Sequence, residues 1–452
     1  MKPDYLQEHL ARVRVGRRQV LRATAGLGAA GVLASLGLRP DPAGGAGHDY
    51  VRGGPEPLGA PAEEFNDTMF DVAAVLAGAW DSTAFYQKGD QRGTYNEVTA
   101  AKTAAALGLL QAGRPVVTYQ LGDLMFNGYP AFVGSPPRLY EQRLTVLGYQ
   151  PKAGFGGVLS SATPLATNKV SIHEERFKVP DQLIQANVPY TGTYQIGTQL
   201  DNLNHVGVGN VFYGGHRGAD IAEAWGTTKL GGELMGPIVT RGVVVDVLGL
   251  KQEQGASADL STAGNGKPLV KEGYRITVED IEAALRRQRV SGITAGDVVL
   301  FRTGWNQLVE PKDPTTPDQP LAANEPLHPS HPDHKRYLSG EPGIYLREAR
   351  YLAARRPAII GGDTWALEVL PGPDPAIAFP VHQELLVHYG IRIAEGVITD
   401  QLVNDKVYEF VYIVTPQNAL GATAGNTPPA ALGQPGVTAT GPVRMETLPR
   451  TS

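Results

Sequence analysis

Residues 238–250 read I-V-T-R-G-V-V-V-D-V-L-G-L. This nearly continuous β-branched run is what a strand buried on both faces requires. Working outward, short apolar stretches at 297–302, 358–361, 391–398 and 407–414 are expected to be further strands. Between them, Thr277-Val278-Glu279-Asp280 has the pattern of a capping box, with Val278, Ile281 and Leu285 on one face of the helix it opens. Residues 345–354 and 383–389 read as two more helices. Strands alternating with helices place the chain in the mixed α/β class. Two segments look like loop insertions: 251–271, rich in Gly, Ser, Ala and Asn, and 310–341, rich in Pro, Asp and His.

The chain has 452 residues, enough for a large core, and Gly (55) with Pro (35) takes about a fifth of the positions. Lys+Arg at 40 against Asp+Glu at 45 leaves a formal charge of −5, too balanced for a surface built to neutralise phosphates. No nucleic-acid partner is expected. Cysteine is absent, so disulfide frameworks, iron–sulfur clusters and thiol catalysis are excluded, and any metal must sit on His, Asp, Glu or neutral oxygens.

Residues 1–45 read as an export signal. Arg12, Arg14, Arg17, Arg18 and Arg22 precede a weakly apolar run, and Gly16-Arg17-Arg18-Gln19-Val20-Leu21-Arg22 resembles the twin-arginine motif. This implies a periplasmic or secreted mature protein. The string Gly26-Leu27-Gly28-Ala29-Ala30-Gly31 inside that segment lacks the preceding strand of a dinucleotide fold. Beyond it no run of eighteen apolar residues occurs, so no contact with a membrane is expected once the signal is removed. Residues 66–425 read as one large domain with loop insertions, and 426–452, rich in Pro, Gly, Ala and Thr, as a flexible tail.

Residues 194–206 read Y-Q-I-G-T-Q-L-D-N-L-N-H-V. If a strand begins there, alternation sends Gln195, Gly197, Gln199 and Asp201 to one face and Ile196, Thr198 and Leu200 to the other. With His205 four residues on, an anion, two amide oxygens and an imidazole could hold an oxygen-preferring divalent ion. The same pattern also fits a polar edge strand whose amides satisfy backbone groups. Further along, His382 opens a short helix and Glu395 lies among strand residues, where a charge is costly unless exposed, paired or bound to an ion. His328, His331 and His334 fall in H-P-S-H-P-D-H, whose prolines argue for a solvated loop. His216 follows the motif closely and could line a pocket or sit in a turn. Neither G-x-S-x-G nor H-E-x-x-H occurs, which speaks against a serine-elbow hydrolase and a zincin protease.

These residues carry a resemblance. The chain is similar to the metal-dependent cyclase family, which includes bacterial kynurenine formamidases and isatin hydrolases. Gln195-Ile196-Gly197-Thr198-Gln199-Leu200-Asp201-Asn202-Leu203-Asn204-His205 matches the family pattern H-x-G-T-H-x-D-x-P-x-H with glutamine for two histidines and leucine for the proline. Asp90-Gln91-Arg92-Gly93-Thr94-Tyr95-Asn96, Pro237-Ile238-Val239-Thr240-Arg241-Gly242-Val243, Gly362-Asp363-Thr364-Trp365, Phe379-Pro380-Val381-His382 and Gly421-Ala422-Thr423 look like further family blocks.

The resemblance implies a swivelling β/β/α fold with a barrel-like mixed sheet flanked by helices. It implies metal-ligand roles for Asp201, His382 and Glu395, with Gln195 and Gln199 where ligand histidines would stand, and a catalytic role for His205. The cofactor would be one or two divalent ions, manganese gaining on zinc because amide oxygen replaces imidazole. With an ordinary imidazole pKa near neutrality, His205 could take and return protons. The implied reaction is hydrolysis of a small cyclic or aryl amide or a lactone. Phe212, Tyr213, Trp225 and Trp365 are candidates for a stacking wall, and equally for ordinary core. The partner would be a small-molecule substrate, with a homodimer possible. Two alternatives stay open: a cyclase or dehydratase on the same scaffold, and a non-catalytic periplasmic binding protein.

Overall fold

Nine strands form one sheet: β1 (Val117–Gln120), β2 (Gln199–Asp201), β3 (Ile238–Asp246), β4 (Val298–Arg302), β5 (Ile359–Gly362), β6 (Arg392–Glu395), β7 (Glu409–Val414), β8 (Ala424–Gly425) and β9 (Ala430–Gly433). Their spatial order is β1-β9-β7-β3-β4-β5-β6-β2-β8. This is a computed structural model, and it describes residues 65–126, 128–132, 138, 140, 142–164, 166–177, 193–309, 332–374 and 376–435. The chain divides into two units, Met1–Asp49 and Tyr50–Ser452, and every described residue lies in the second.

The central pairs β3·β4, β4·β5 and β5·β6 are parallel, so each needs a crossover, and helices supply them. Apart from α1 (Ala100–Leu107), which precedes the parallel core, these are α2 (Val247–Glu253) and α3 (Val278–Gln288) between β3 and β4, α4 (Leu346–Ala353) between β4 and β5, and Pro380–His382 running on into a wide π turn, Gln383–Tyr389, between β5 and β6. Antiparallel strands extend the sheet on both sides: β7, β9 and β1 beyond β3, and β2 and β8 beyond β6. The result is a curled half-barrel flanked by helices.

Two cores follow from the period of two along each strand. Val243, Val245, Val299, Phe301, Ile360 and Ile393 point to the helices, where they meet Ile281, Leu285, Leu346, Leu352, Leu385 and Leu386. Val244, Val298, Leu300, Ile359 and Ala394 point into the curl, against Tyr119, Leu121, Leu200, Phe410 and Tyr412. The capping box at Thr277 forms as expected: its side chain accepts from Asp280 N–H, and Asp280 accepts from Thr277 N–H.

The run at 238–250 is strand only to Asp246, because Asp246 accepts a hydrogen bond from Gly249 N–H (3.0 Å) and caps α2. Residues 251–271 are not a loose insertion. They continue α2 and then form a hairpin of Leu260–Thr262 with Pro268–Val270, whose Leu269 and Val270 are buried.

Within 310–341, Pro332–Ser339 is a helix and its His334 is buried near Phe126 (ring centroids 6.1 Å), which corrects the solvated-loop reading there. Proline is compatible with the first turn of a helix, where its missing N–H goes unused. His328 and His331 lie outside the described residues. Residues 430–433 of the expected tail are β9, paired with β1 and β7; small residues hid a strand stabilised by two neighbours. Residues 1–45, where an export signal is expected, and residues 436–452 lie outside the described residues. Among the described residues no helix is long and apolar enough to cross a membrane.

The block at Asp90 is a clasp. Its carboxylate accepts from Gly93 N–H (2.7 Å), Asn96 Nδ2 (2.7 Å) and Tyr213 OH (2.9 Å), while Thr94 N–H donates to Gly390 O (2.9 Å) beside β6. Gly93 takes φ +58 with its Cα directly against the Gly390 backbone. Gly93→Ala should therefore lower the unfolding free energy by about 3 kcal/mol, seen as a lower denaturant midpoint, because a Cβ would collide with main chain that cannot yield.

Candidate metal centre

The register of β2 on β6 assembles the first half of the site. Leu200 faces Ala394 and Gln199 faces Glu395. Leu200 and Ala394 belong to the inner core, so alternation sends Gln199, Asp201 and Glu395 to the opposite, helix-covered face. The strand is shorter than expected. Gly197 at φ +63 bends the chain, with Met125 packed where a Cβ would stand, and alternation begins only at Gln199. Gln195 reaches the site from that turn. Thr198 Oγ1 secures the bend by donating to Gly396 O (2.6 Å).

The second half comes from the helix start at Pro380, whose fixed φ suits a first helical position. Val381 N–H (3.2 Å) and His382 N–H (3.1 Å) both donate to the Glu368 carboxylate, which is buried. His382 Nδ1 lies 2.5 Å from the same carboxylate. The ring's other nitrogen, Nε2, is thereby aimed at the motif strand, 3.3 Å from Glu395 Oε1 and 3.8 Å from Asp201 Oδ2. Ligand atoms of Asp201, His382 and Glu395 all lie within 4.8 Å of one another, and all three residues are buried.

Whether such a pocket fits a cation can be judged from its unpaired atoms. Asp201 is wholly buried, yet neither carboxylate oxygen has a hydrogen-bond partner. Gln199 Nε2 donates to Glu395 Oε2, and Gln195 Nε2 lies 3.2 Å from His205 Nδ1, while the Oε1 atoms of both glutamines are buried without a partner. Four buried acceptors without donors in one cluster are costly in a protein and are what a bound cation satisfies. Oxygen donors outnumber the one imidazole, a set that suits a hard divalent ion.

Burial, reinforced by the charge of Glu395, pushes the Asp201 carboxyl well above the usual carboxylate range. For His382 burial opposes the imidazolium, but hydrogen bonds and charges from Glu368 and Glu395 outweigh it and hold the pKa well above that of ordinary histidine. His205 differs from the expectation of an unperturbed imidazole: burial, with the positive neighbours His382 and Arg138, pushes it down to about 3. It is therefore neutral across the working range, with Nε2 3.8 Å from Asp201 Oδ2.

The model of the Cyclase family matches residues 139–369, half of the chain. The chain belongs to the cyclase family. A crystal structure described as a novel cyclase is 26% identical, covers 76% of this chain and 97% of its own, and superposes with a TM-score of 0.55. Isatin hydrolase A from Ralstonia solanacearum is 16% identical over 74% of this chain and 97% of its own, at a TM-score of 0.43. Isatin hydrolase A from Labrenzia aggregata, solved with benzyl benzoate, is 15% identical over 71% and 94%, at 0.41. No protein among the curated sequences matches the chain.

In this cyclase-family chain the expected stacking wall divides. Trp365 stacks on Phe132 (5.4 Å, 24°), Phe132 meets Phe379 edge-on (6.1 Å, 81°), and Phe379 meets His382 (5.3 Å, 76°). Trp365 is thus linked to the centre. Tyr213 instead is core and donates to Asp90, and Phe212 packs on that same core near Gly207 and Gly218. Both are corrected to structural roles. His216 pairs with Phe212 in a two-residue ribbon near Gly214, and burial lowers its pKa; among the described residues no hydrogen bond or ion pair joins it to the cluster. Trp225 is 55% exposed and packs by Gly421.

Three contributors escaped the sequence reading: Glu368, Phe132 and Arg138. Glu368 could have been found by the argument that singled out Glu395, since it is a charge inside A-L-E-V-L. Phe379 (φ +53) and Leu367 (φ +62), non-glycine residues in the left-handed region, flank this apparatus. Such strain, about 1 kcal/mol or more each, persists where the surroundings enforce it.

Proposed function

We propose that this cyclase-family chain is a metal-dependent hydrolase of a small cyclic or aryl amide or a lactone. The observation that carries the reading is the buried Asp201–His382–Glu395 cluster with donorless acceptors around it. Asp201, His382 Nε2 and Glu395 would hold the ion, with Gln195 Oε1 and Gln199 Oε1 as neutral supplements, and manganese is favoured over zinc by that oxygen-rich set. When bound, a divalent ion polarises a carbonyl and acidifies water.

The chain's own residues do the rest. Glu368 keeps a proton on His382 Nδ1 so that Nε2 is free to bind. His205 is neutral, and because its Nδ1 accepts from the Gln195 amide N–H its proton sits on Nε2; from there it would pass that proton to the leaving nitrogen or oxygen as the bond breaks and be reprotonated by the proton released from the water that has added to the carbonyl carbon. The aromatic wall of Phe132, Trp365 and Phe379 excludes water and offers flat surfaces to a planar substrate. Export through residues 1–45 and pairing into a homodimer belong to the same reading.

Elemental analysis of the folded protein, coupled to a hydrolysis screen of aryl formamides, isatin-like lactams and unsaturated lactones, tests it. Bound Mn²⁺ or Zn²⁺ with chelator-sensitive turnover is expected; a folded protein that takes up neither ion sinks the reading.

The pH dependence has a definite sign. Asp201 and His382 both have raised pKa values in the metal-free site, so protons compete with the ion. Mn²⁺ affinity should climb as pH rises from 6 to 8, by up to about tenfold per unit for each proton displaced. Calorimetry in buffers of different ionisation enthalpy reads the proton release directly, and an affinity flat with pH would contradict it.

A further inference from the structure

Arg138 stands beside the centre with no described carboxylate in ion-pairing range. Its Nη1 donates to Gln195 O (3.1 Å), and its guanidinium lies over the Phe132 ring, 5.4 Å from the centroid. The carboxylates that act on it from further off are Glu395 and Asp201. These are the two groups a divalent ion would neutralise. Once the ion is in place, a partly buried guanidinium is left at the end of an aromatic wall without its counter-charge, a costly state that a second anion relieves.

We propose that Arg138 selects substrates carrying a carboxylate or similar anion on the ring or acyl group that lies against Phe132 and Trp365, so that the preferred substrate is an anionic aryl amide or lactone. The inference rests on the metal-hydrolase reading above. The wall supplies the geometry: Arg138 sits over Phe132, and Phe132 leads through Phe379 to His382. A planar substrate on that wall would reach the ion at one end and the guanidinium at the other. Guanidinium is suited to this because its planar fork grips a carboxylate with two parallel hydrogen bonds.

The test uses the full-length protein loaded with Mn²⁺. Calorimetry compares benzenesulfonate, a poor metal ligand, with neutral methyl phenyl sulfone, and steady-state kinetics compares 2-formamidobenzoate with formanilide. The anionic member should be preferred by about tenfold or more in Kd and in kcat/KM, the kinetic preference lying mainly in KM. Arg138→Gln should bring each pair within about twofold while Mn²⁺ content stays the same, and Arg138→Lys should keep part of the preference. Should Arg138→Gln fail to fold, salt decides on the wild type: raising ionic strength from about 20 to 200 mM should weaken benzenesulfonate binding and leave the sulfone unaffected. A preference that survives in Arg138→Gln, or a Mn²⁺-loaded wild type indifferent to probe charge, overturns the assignment of Arg138 alone. A folded protein with no bound Mn²⁺ overturns the metal reading instead.

Discussion

Asp201→Asn should abolish hydrolysis, by about a thousandfold or more in kcat/KM, and strip the ion, while leaving the metal-free protein at least as stable as the wild type. Both halves come from the same environment. Asp201 is fully buried, has no hydrogen-bond donor and shares its pocket with Glu395. An ionised carboxylate there is costly without a cation, which is why burial and Glu395 raise its pKa. The raised folded value means that stability present below the ordinary carboxylate pKa is lost as pH rises through the folded one. The advantage of asparagine in the metal-free state should therefore grow with pH. Thermal unfolding with and without Mn²⁺ separates the effects: wild type should gain several degrees on adding saturating ion, and Asp201→Asn nothing. A variant that still binds Mn²⁺ and turns over would refute the ligand role.

Glu368→Gln should weaken Mn²⁺ binding about 10- to 100-fold, measured by competition with a chelator, without changing the ligand set. Glu368 touches no ligand position of its own. It accepts the first two N–H groups of the helix at Pro380 and the Nδ1 side of His382. Glutamine keeps the volume but halves the acceptor capacity and removes the charge that holds the proton on Nδ1, so His382 loses both orientation and basicity. Unchanged Mn²⁺ affinity would show that helix geometry alone aims the ring. The strained backbone at Leu367 and Phe379 fits the role, since it sits on either side of the segment that must bring these two residues together.

The parts of the fold legible in the sequence were those whose cause is local. The β-branched run of β3, the short apolar strands at Val298 and Ile359, and the Thr277 capping box carry their signals within a few residues. Strand Ala430–Gly433 was not legible, because alanine and glycine have weak preferences and its stability comes from β1 and β7 on either side. Helix Pro332–Ser339 was obscured by prolines read as breakers when one of them opens it.

For the candidate site the division is similar. By itself the sequence determined which chemistry was excluded and what frame was available: with no cysteine, any metal would have to sit on His, Asp, Glu or neutral oxygens in a mixed α/β fold, and it was the family resemblance that implied Asp201, His382 and Glu395 as the set. Only the tertiary structure decided that Gln199 faces Glu395 across a strand pair, that Glu368 grips His382, that Arg138 comes to rest by Gln195, and that His205 is neutral. The physical reason is range. A residue type and its spacing are written along the chain, whereas burial, partner atoms and the pKa shifts they produce belong to contacts between segments up to about two hundred residues apart, which exist only once the sheet has closed.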